Sequence, residues 1–242
     1  MTNFLNANWD NIVMANYAVP EEVLVPYLPK GCELDLYQGS AYVSLVGFMF
    51  KNTRLFQIPI PWLGTFEEIN LRFYVTRKEN GEVKRGVVFI NETIPYKAVA
   101  WVANKLYKEH YTTVPTRNLI LSDNVNKVIN YQWKMKDEWN SIYVKAHVNK
   151  QEMPVGSFEE FIFEHYYGYT KLNAFETDEY KIHHPRWHLN KIEDFLINCA
   201  FDKMYGEDFS FLNRALPASV FLAEGSEVSV QWRRNRLKLN AE

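Results

Sequence analysis

Glu68, Asn70, Arg72 and Tyr74 stand at alternate positions of the segment FEEINLRFYV, residues 66–75. A strand turns successive side chains to opposite faces, so these four share one face. Ile69, Leu71, Phe73 and Val75 share the other, which is plainly a core face. An acid, an amide, a guanidinium and a phenol in one row supply a general acid or base, several hydrogen-bonding groups and a fork for a carboxylate. Glu68 and Arg72 are about 13 Å apart along a strand that rises about 3.3 Å per residue, so they do not pair directly. Such a row either lines a cavity and grips a small polar or anionic ligand, or forms the solvated face of an antiparallel sheet.

The elements that must position this row can be read from its neighbours. Glu67–Thr76 reads as a strand, Asn80-Gly81 as a type I′ hairpin turn and Val83–Asn91 as the returning strand. A two-residue loop puts Arg72 opposite Phe89, and a four-residue loop puts it opposite Val87. Both registers keep the same residues on each face. A bulge at Gly86 would break that equivalence and bring Glu92 to the polar face. Thr93 and Pro95 then mark the start of a helix over about 96–109, with Val99, Val102, Ala103 and Leu106 as its apolar stripe. Lys97 falls in the first turn of that helix, where the dipole disfavours a cation.

The 242-residue chain shows no linker or repeat, so a single domain over 1–242 is expected. Glu21–Leu28 reads as a short helix, and Leu34–Tyr37 and Ala41–Phe50 as strands. Both faces of the second of these are apolar, which marks it as central. Residues 51–65 read as a loop and 112–123 as irregular sequence broken by Pro115. Residues 128–136 and 142–148 read as a hairpin around a turn at 137–140. A capping box, Ser157 with Glu160, opens a helix over 157–167 stopped by Gly168. Lys181–Trp187 reads as a strand, 190–204 as a helix, and Val228, Val230 and Trp232 as a last strand. The expected class is therefore mainly β, with antiparallel pairing.

Composition narrows the partners. Aromatic residues reach 16%, which suits a β-rich fold with large core side chains. A net charge of −2 gives no basic footprint for nucleic acid, and Arg233, Arg234, Arg236 and Lys238 read as a solvated strand end. Cys32 and Cys199 have neither disulfide-framework nor metal spacing, which suits a reducing compartment. No secretory leader or run of about 18 apolar residues is visible, so a cytoplasmic protein without a membrane span is expected. The composition leaves homo-oligomerisation open.

The run His183-His184-Pro185-Arg186-Trp187-His188 invites a metal reading. Adjacent residues of a strand point to opposite faces, Pro185 disturbs the geometry, and no acid or cysteine stands at a ligand spacing. No metal is expected there. His165 lies on the apolar stripe of its helix and reads as a core residue. The sequence has no G-x-S-x-G, P-loop or dinucleotide-binding glycine pattern, so no cofactor is expected.

Several stretches in order carry a family resemblance: Leu28-Pro29-Lys30-Gly31, GSAYVSLVGFMF at 39–50, FEEINLRFYV at 66–75, GVVFINE at 86–92, AVAWVANKLYKEHY at 98–111, GSFEEFIFEHYYGYT at 156–170 and HHPRWHL at 183–189. Together they resemble the YqjF-like family of largely uncharacterised bacterial proteins, over nearly the whole chain. That resemblance implies a fold similar to acetoacetate decarboxylase: a cone-shaped antiparallel β-barrel with flanking helices and an internal cavity. Glu68, Asn70 and Arg72 would then line the cavity. The decarboxylase forms a Schiff base on a lysine in a proline-lysine-lysine run. Pro95-Tyr96-Lys97 is the corresponding stretch, with Tyr96 intervening and no second lysine adjacent. Glu68 matches the decarboxylase's cavity glutamate.

Three readings follow. The leading one is a cavity protein that binds a small polar or anionic molecule through Glu68, Asn70, Arg72 and Tyr74. The second is a decarboxylase-like lyase for an oxo-acid, with Lys97 as nucleophile, Glu68 as acid or base and Arg72 as carboxylate clamp. The third is a structural or interaction protein whose polar row is solvated.

Overall fold

The computed structural model describes residues 3–59, 64–97, 99–100, 104, 110–231 and 235–238. The strands in chain order are β1 (Asn3–Val19), β2 (Glu33–Leu34), β3 (Ala41–Leu55), β4 (Ile58–Pro59), β5 (Phe66–Glu79), β6 (Glu82–Ile94), β7 (Tyr111–Thr113) and β8 (Thr116–Ser122). They continue as β9 (Asn126–Met135), β10 (Glu138–Gln151), β11 (Tyr167–Lys171), β12 (Glu176–His183), β13 (Leu189–Asn198), β14 (Ser219–Gln231) and β15 (Asn235–Lys238). One sheet joins them in the order β15-β12-β11-β6-β5-β3-β1-β14-β13-β10-β9-β8. A further pairing of β12 with β14 closes the strands between them into a ring. The protein is mainly β, as expected, but not wholly antiparallel. β6 pairs in parallel with both β7 and β11, so the ring is not a regular barrel. No helix among the described residues is long and apolar enough to cross a membrane.

The shared strands β1, β3 and β5 have a core on each side. On one side Val13, Val43, Leu45, Ile69, Leu71 and Phe73 pack against Tyr131 and Trp133 of β9, Ile142 and Val144 of β10, and Phe201 and Phe209. Gly47 lets these layers approach, because a Cβ there would stand 2.9 Å from the Tyr131 ring. On the other side Met14, Val46, Phe48, Tyr74 and Val87 pack against Phe161, Phe163 and Trp187. Each fully buried large apolar side chain contributes about 1.5–3 kcal/mol. Slipping β5 by one residue would exchange the four on its core face for the polar row, so its register is fixed.

The β5–β6 hairpin turns on Asn80 and Gly81, with φ values of 51° and 83°. Arg72 stands opposite Phe89, as a two-residue loop requires, and Leu71 opposite Asn91, which leaves Ile90 as an extra residue. Beyond this bulge Glu92 faces Asn70. Glu92 therefore does reach the polar face, through a bulge at Ile90 rather than at Gly86.

Other expectations are corrected. The N-terminal segment, which lacks alternation, is the 17-residue strand β1. Register shifts between Asn6 and Asn8 and between Asp10 and Val13, with Asn11 at φ 55°, break its period. Residues 112–123 hold the end of β7 and all of β8, an edge strand with Leu119 and Leu121 exposed. The helix expected over 190–204 is instead β13 followed by a short helix, Phe201–Tyr205. Phe195 and Leu196, which suggested a helical stripe, are exposed on β13. The helix expected over 157–167 spans Phe158–Phe163, and Gly168 lies within β11. The strand expected at Lys181–Trp187 starts earlier and stops before Pro185. Thr93 is a β6 residue and not a helix cap. Lys97, Val99, Ala100 and Asn104 are helical, whereas Val102, Ala103, Leu106, Trp232, Arg233 and Arg234 lie outside the described residues.

Closure of the ring rests on a short contact. β11 pairs with β6 at Tyr167–Gly86 and Gly168–Val87. A Cβ on Gly86 would meet the Tyr167 carbonyl oxygen at 2.7 Å, and one on Gly168 would meet Tyr180 Cζ at 2.1 Å. Beside this contact four charges alternate in a cycle. Arg77 donates to Glu79 at 2.6 Å and Glu179 at 2.9 Å, and Lys84 donates to the same acids at 2.5 and 2.8 Å. Hydrogen bonds from Arg77 and Lys84 pull the Glu79 carboxyl down to about 2. The cycle ties the hairpin end to β12 across β11. Gly168→Ala should destabilise the protein by about 3 kcal/mol, the upper end for overpacking a tight site. Urea unfolding measures this, and a loss under about 1 kcal/mol would show that the close approach does not govern stability.

Candidate functional site

The polar row of β5 continues across its neighbours. Ser44, Val46 and Phe48 of β3 stand opposite Arg72, Asn70 and Glu68, and Asn16 and Met14 of β1 stand opposite Ser44 and Val46. Directly opposed residues share a face. Across that face runs a chain of hydrogen bonds. Ser44 Oγ donates to Asn16 Oδ1 at 2.6 Å, and Asn16 Nδ2 donates to Ser219 Oγ at 2.9 Å. Since the Ser44 proton is engaged, the Tyr74 hydroxyl is the donor in its 2.5 Å contact with Ser44. The row is not a solvated face: Glu68, Asn70 and Tyr74 are only 1–3% exposed.

Glu68 is held at both oxygens. Asn70 Nδ2 donates to Oε1 at 3.1 Å, and the Tyr111 hydroxyl donates to Oε2 at 3.4 Å. Glu92, buried opposite Asn70, places a second carboxylate on the same face. The Asn70 carbonyl oxygen is buried without a partner among the described residues. Arg72 is half-buried. Its Nη2 donates to Met14 Sδ at 3.5 Å, and its guanidinium lies 5.8 Å from the centre of the Tyr74 ring. Nε is buried without an acceptor, and Arg72 forms no carboxylate pair among the described residues. A sulfur is a weak acceptor, so this cation is poorly compensated for its loss of water.

One histidine borders the row. Ser157 caps the Phe158–Phe163 helix by accepting from Glu160 N, while Glu160 Oε2 accepts from Gly156 N. The helix sets Phe161 and His165 against Tyr74, with ring centres 5.4 and 4.7 Å away. His165 Nε2 donates to Asp35 Oδ2 at 3.0 Å, and Arg85 Nε donates to the same oxygen at 2.7 Å. Burial pushes His165 down to about 4, outweighing the Asp35 hydrogen bond, with the Arg85 and Arg72 charges adding to the depression. Burial alone would raise the Asp35 carboxyl, but hydrogen bonds from His165 and Arg85 outweigh it and hold it low. His165 is thus a core residue, as expected, kept neutral with its Nδ1 buried and unpartnered among the described residues.

The histidine run splits after β12. His183 is exposed and its Nε2 meets Gln231 Nε2 at 2.8 Å. His188 Nδ1 lies 3.0 Å from Glu224 Oε1. Between them Pro185 ends the strand and turns His184 back, so that its Nδ1 donates to the Pro185 carbonyl at 2.8 Å. The His184 ring is stacked on Tyr166 and on Trp187, with centres 4.7 and 4.1 Å away. Burial lowers His184 to about 4 despite the Pro185 bond, helped by the Arg72 and His183 charges.

The fold thus gathers Glu68, Asn70, Arg72 and Tyr74 on one largely buried face. Lys97 is exposed in its helix, and no hydrogen bond or ion pair joins it to Glu68, Asn70 or Arg72. Sequence reasoning did not place Asn16 and Met14 in the site, because β1 lacks a readable period. Ser44 was visible as a polar residue in an otherwise apolar strand.

Known proteins agree with this architecture. The model of the DUF2071 family, described as an uncharacterized conserved protein, matches residues 6–227. The uncharacterized protein YqjF of Bacillus subtilis (strain 168) is 26% identical over 199 residues, covering 78% of this chain and 76% of YqjF. An acetoacetate decarboxylase-like enzyme from Sphingomonas wittichii RW1 superposes with a TM-score of 0.62 at 11% identity, covering 99% of this chain and 95% of that one. The enduracididine biosynthesis enzyme MppR, complexed with the condensation product of pyruvate and imidazole 4-carboxaldehyde, gives 0.65 at 9% identity over 98% and 91%. Acetoacetate decarboxylase from Legionella pneumophila gives 0.60 at 9% identity over 98% and 87%. At these identities the similarity is one of fold.

The buried histidines set a pH dependence. Both fold with pKa values near 4 against about 6.5 unfolded. Between those values the unfolded chain binds more protons, so their contribution is complete above pH 6.5 and falls away toward pH 4. The melting temperature should drop across that window, and His165→Leu should flatten the drop. An unchanged slope in that variant would show that His165 is not the group responsible.

Proposed function

The chain belongs to the DUF2071 family and shares the fold of acetoacetate decarboxylase-like enzymes, and on that premise we propose that its buried polar face binds a small oxo-acid through Arg72. The observation that carries the reading is the half-buried Arg72 guanidinium, its Nε buried without an acceptor, with a sulfur as its hydrogen-bond acceptor and no carboxylate partner among the described residues. A unit anion at 4 Å gains about 4 kcal/mol at an effective dielectric of 20, far more than the thioether offers. Arg72 presents the planar fork that a carboxylate matches. MppR has been crystallised with pyruvate, a ligand of this class on the same fold.

In this reading the face lines the cavity of a cone-shaped barrel in a cytoplasmic protein. Asn70 and Tyr74 shape the site, and Glu68 is the group available for acid or base work. Binding is the primary proposal. A lyase acting through a Schiff base would require Lys97 to reach the ligand from its exposed position.

Arg72→Met should weaken pyruvate binding roughly 10- to 100-fold, since each hydrogen bond to a charged group is worth about 1.5–3 kcal/mol. Thermal stability should hold or rise, because no carboxylate is left stranded. Ligand-observed NMR titration of parent and variant decides it, and equal affinities would refute the reading. Borohydride trapping with pyruvate and acetoacetate tests the chemistry separately. A reduced adduct on Lys97 would establish the Schiff-base alternative, and its absence in a protein that binds pyruvate leaves binding alone.

A further inference from the structure

The sheet ends in a free edge at β8, which pairs with β9 on one side and with no described strand on the other. The β8–β9 register runs without a shift from Thr116–Trp133 to Ser122–Lys127, so the strand is regular along its length. It carries no bulge, no lysine and no proline, the devices that keep edge strands apart. Thr116 and Asn118 turn inward and donate to Glu67 of β5, and Ile120 packs on the core beneath. Alternation then places Arg117, Leu119 and Leu121 on the outer face. Leu119 and Leu121 are 49% and 57% exposed. Arg117 Nε donates to Gln132 at 2.6 Å and its guanidinium lies 4.0 Å from the centre of the Trp139 ring, with no carboxylate partner among the described residues. Asp123 opens the turn into β9, where its Oδ1 accepts from Val125 N and Asn126 N at 2.7 Å. Its Oδ2 has no hydrogen-bond partner among the described residues.

This edge matches itself. The segment Arg117-Asn118-Leu119-Ile120-Leu121-Ser122-Asp123 has the same order of residue kinds from either end, with Ile120 at its centre. Laid antiparallel on a copy with the axis at Ile120, Arg117 meets Asp123, Asn118 meets Ser122 and Leu119 meets Leu121. Each contact occurs twice, as a two-fold axis demands. Cation stands opposite anion, polar opposite polar and apolar opposite apolar, the pairs that stabilise an antiparallel ladder. An axis at Leu119 would instead set Arg117 against Leu121, and one at Leu121 would set Leu119 against Asp123. Charge and polarity therefore select one register. We propose that two copies of this chain pair through β8, antiparallel about Ile120, and join their sheets into one. The open backbone groups of the edge gain partners, and Leu119 and Leu121 leave water. A foreign strand would supply the backbone pairing alone; the self-match in charge and polarity favours a second copy.

Sedimentation velocity at micromolar concentration should find the parent protein as a dimer. Arg117→Glu sets two like-charged pairs across the axis and should weaken that dimer about tenfold or more. Leu119→Lys, which turns a charge toward Leu121 of the second copy, should weaken it likewise. Both side chains are exposed, so the far-ultraviolet circular dichroism of each variant should match the parent. Oxidative cross-linking then reads the register. Opposed residues of a ladder lie within disulfide reach and diagonal ones do not. An equal mixture of Leu119→Cys and Leu121→Cys should therefore form a mixed disulfide faster than either variant alone, with the native Cys32 and Cys199 buried away from the edge. A parent that sediments as a monomer overturns the inference. So does a dimer that both Arg117→Glu and Leu119→Lys leave intact, or one in which the mixture cross-links no faster than the single variants.

Discussion

Both faces of β5 are withdrawn from water, and the rest of the architecture answers that constraint. One face is apolar and packs without difficulty. The other carries groups whose hydration must be replaced, since an unpartnered buried polar group costs on the order of 1–3 kcal/mol. Much of the replacement comes from adjacent strands. Tyr74, Ser44, Asn16 and Ser219 pass hydrogen bonds across four of them. Asn70 and Tyr111 attend to Glu68. Arg72 is the member of the row whose charge the described residues leave without an opposite. A face built this way is costly as scaffolding and well suited to recognition.

Enclosing that face requires the sheet to turn through β6, β11 and β12. The turn is accomplished where two glycines remove the side chains that would hold the backbones apart. The alternating charges of Arg77, Glu79, Lys84 and Glu179 then span the same corner. Glu179 is buried, and two cations on one buried acid make the pairing more than a surface decoration. Asp35 performs a related task beneath the row, joining Arg85 of β6 to His165.

What could be read from the sequence follows the regularity of each segment. The β5–β6 hairpin was legible because a strict period of two and an Asn-Gly turn agree. The paired strands β9 and β10 were legible for the first of these reasons. Strand β1 was not, because its register shifts move apolar residues out of step. Strand β13 was mistaken for a helix because Ile192, Phe195, Leu196 and Cys199 fall at helical spacing, although Phe195 and Leu196 face solvent. For the site, alternation grouped Glu68, Asn70, Arg72 and Tyr74, but a period of two cannot say whether a polar face is wet or enclosed. That depends on how the sheet closes, through strands distant in sequence. Family resemblance supplied the enclosure that pattern alone could not. The direction of His184 was hidden for another reason: it is set by the chain reversal at Pro185, which a strand pattern does not encode.

Strand β1 lies between β3 and β14, so its two edges are completed at very different times during synthesis. β3 emerges soon after β1, whereas β14 begins at Ser219, 200 residues beyond Val19 (219 − 19). At about 5–20 residues per second, the open edge of β1 waits on the order of 10–40 s for its partner. An unpaired edge is a template for pairing with other chains. The register shifts at Asn6–Asn8 and Asp10–Val13 lie on the β3 side of β1, so the edge that waits for β14 is the more regular one, and a partly built sheet carries it open until the last strands arrive.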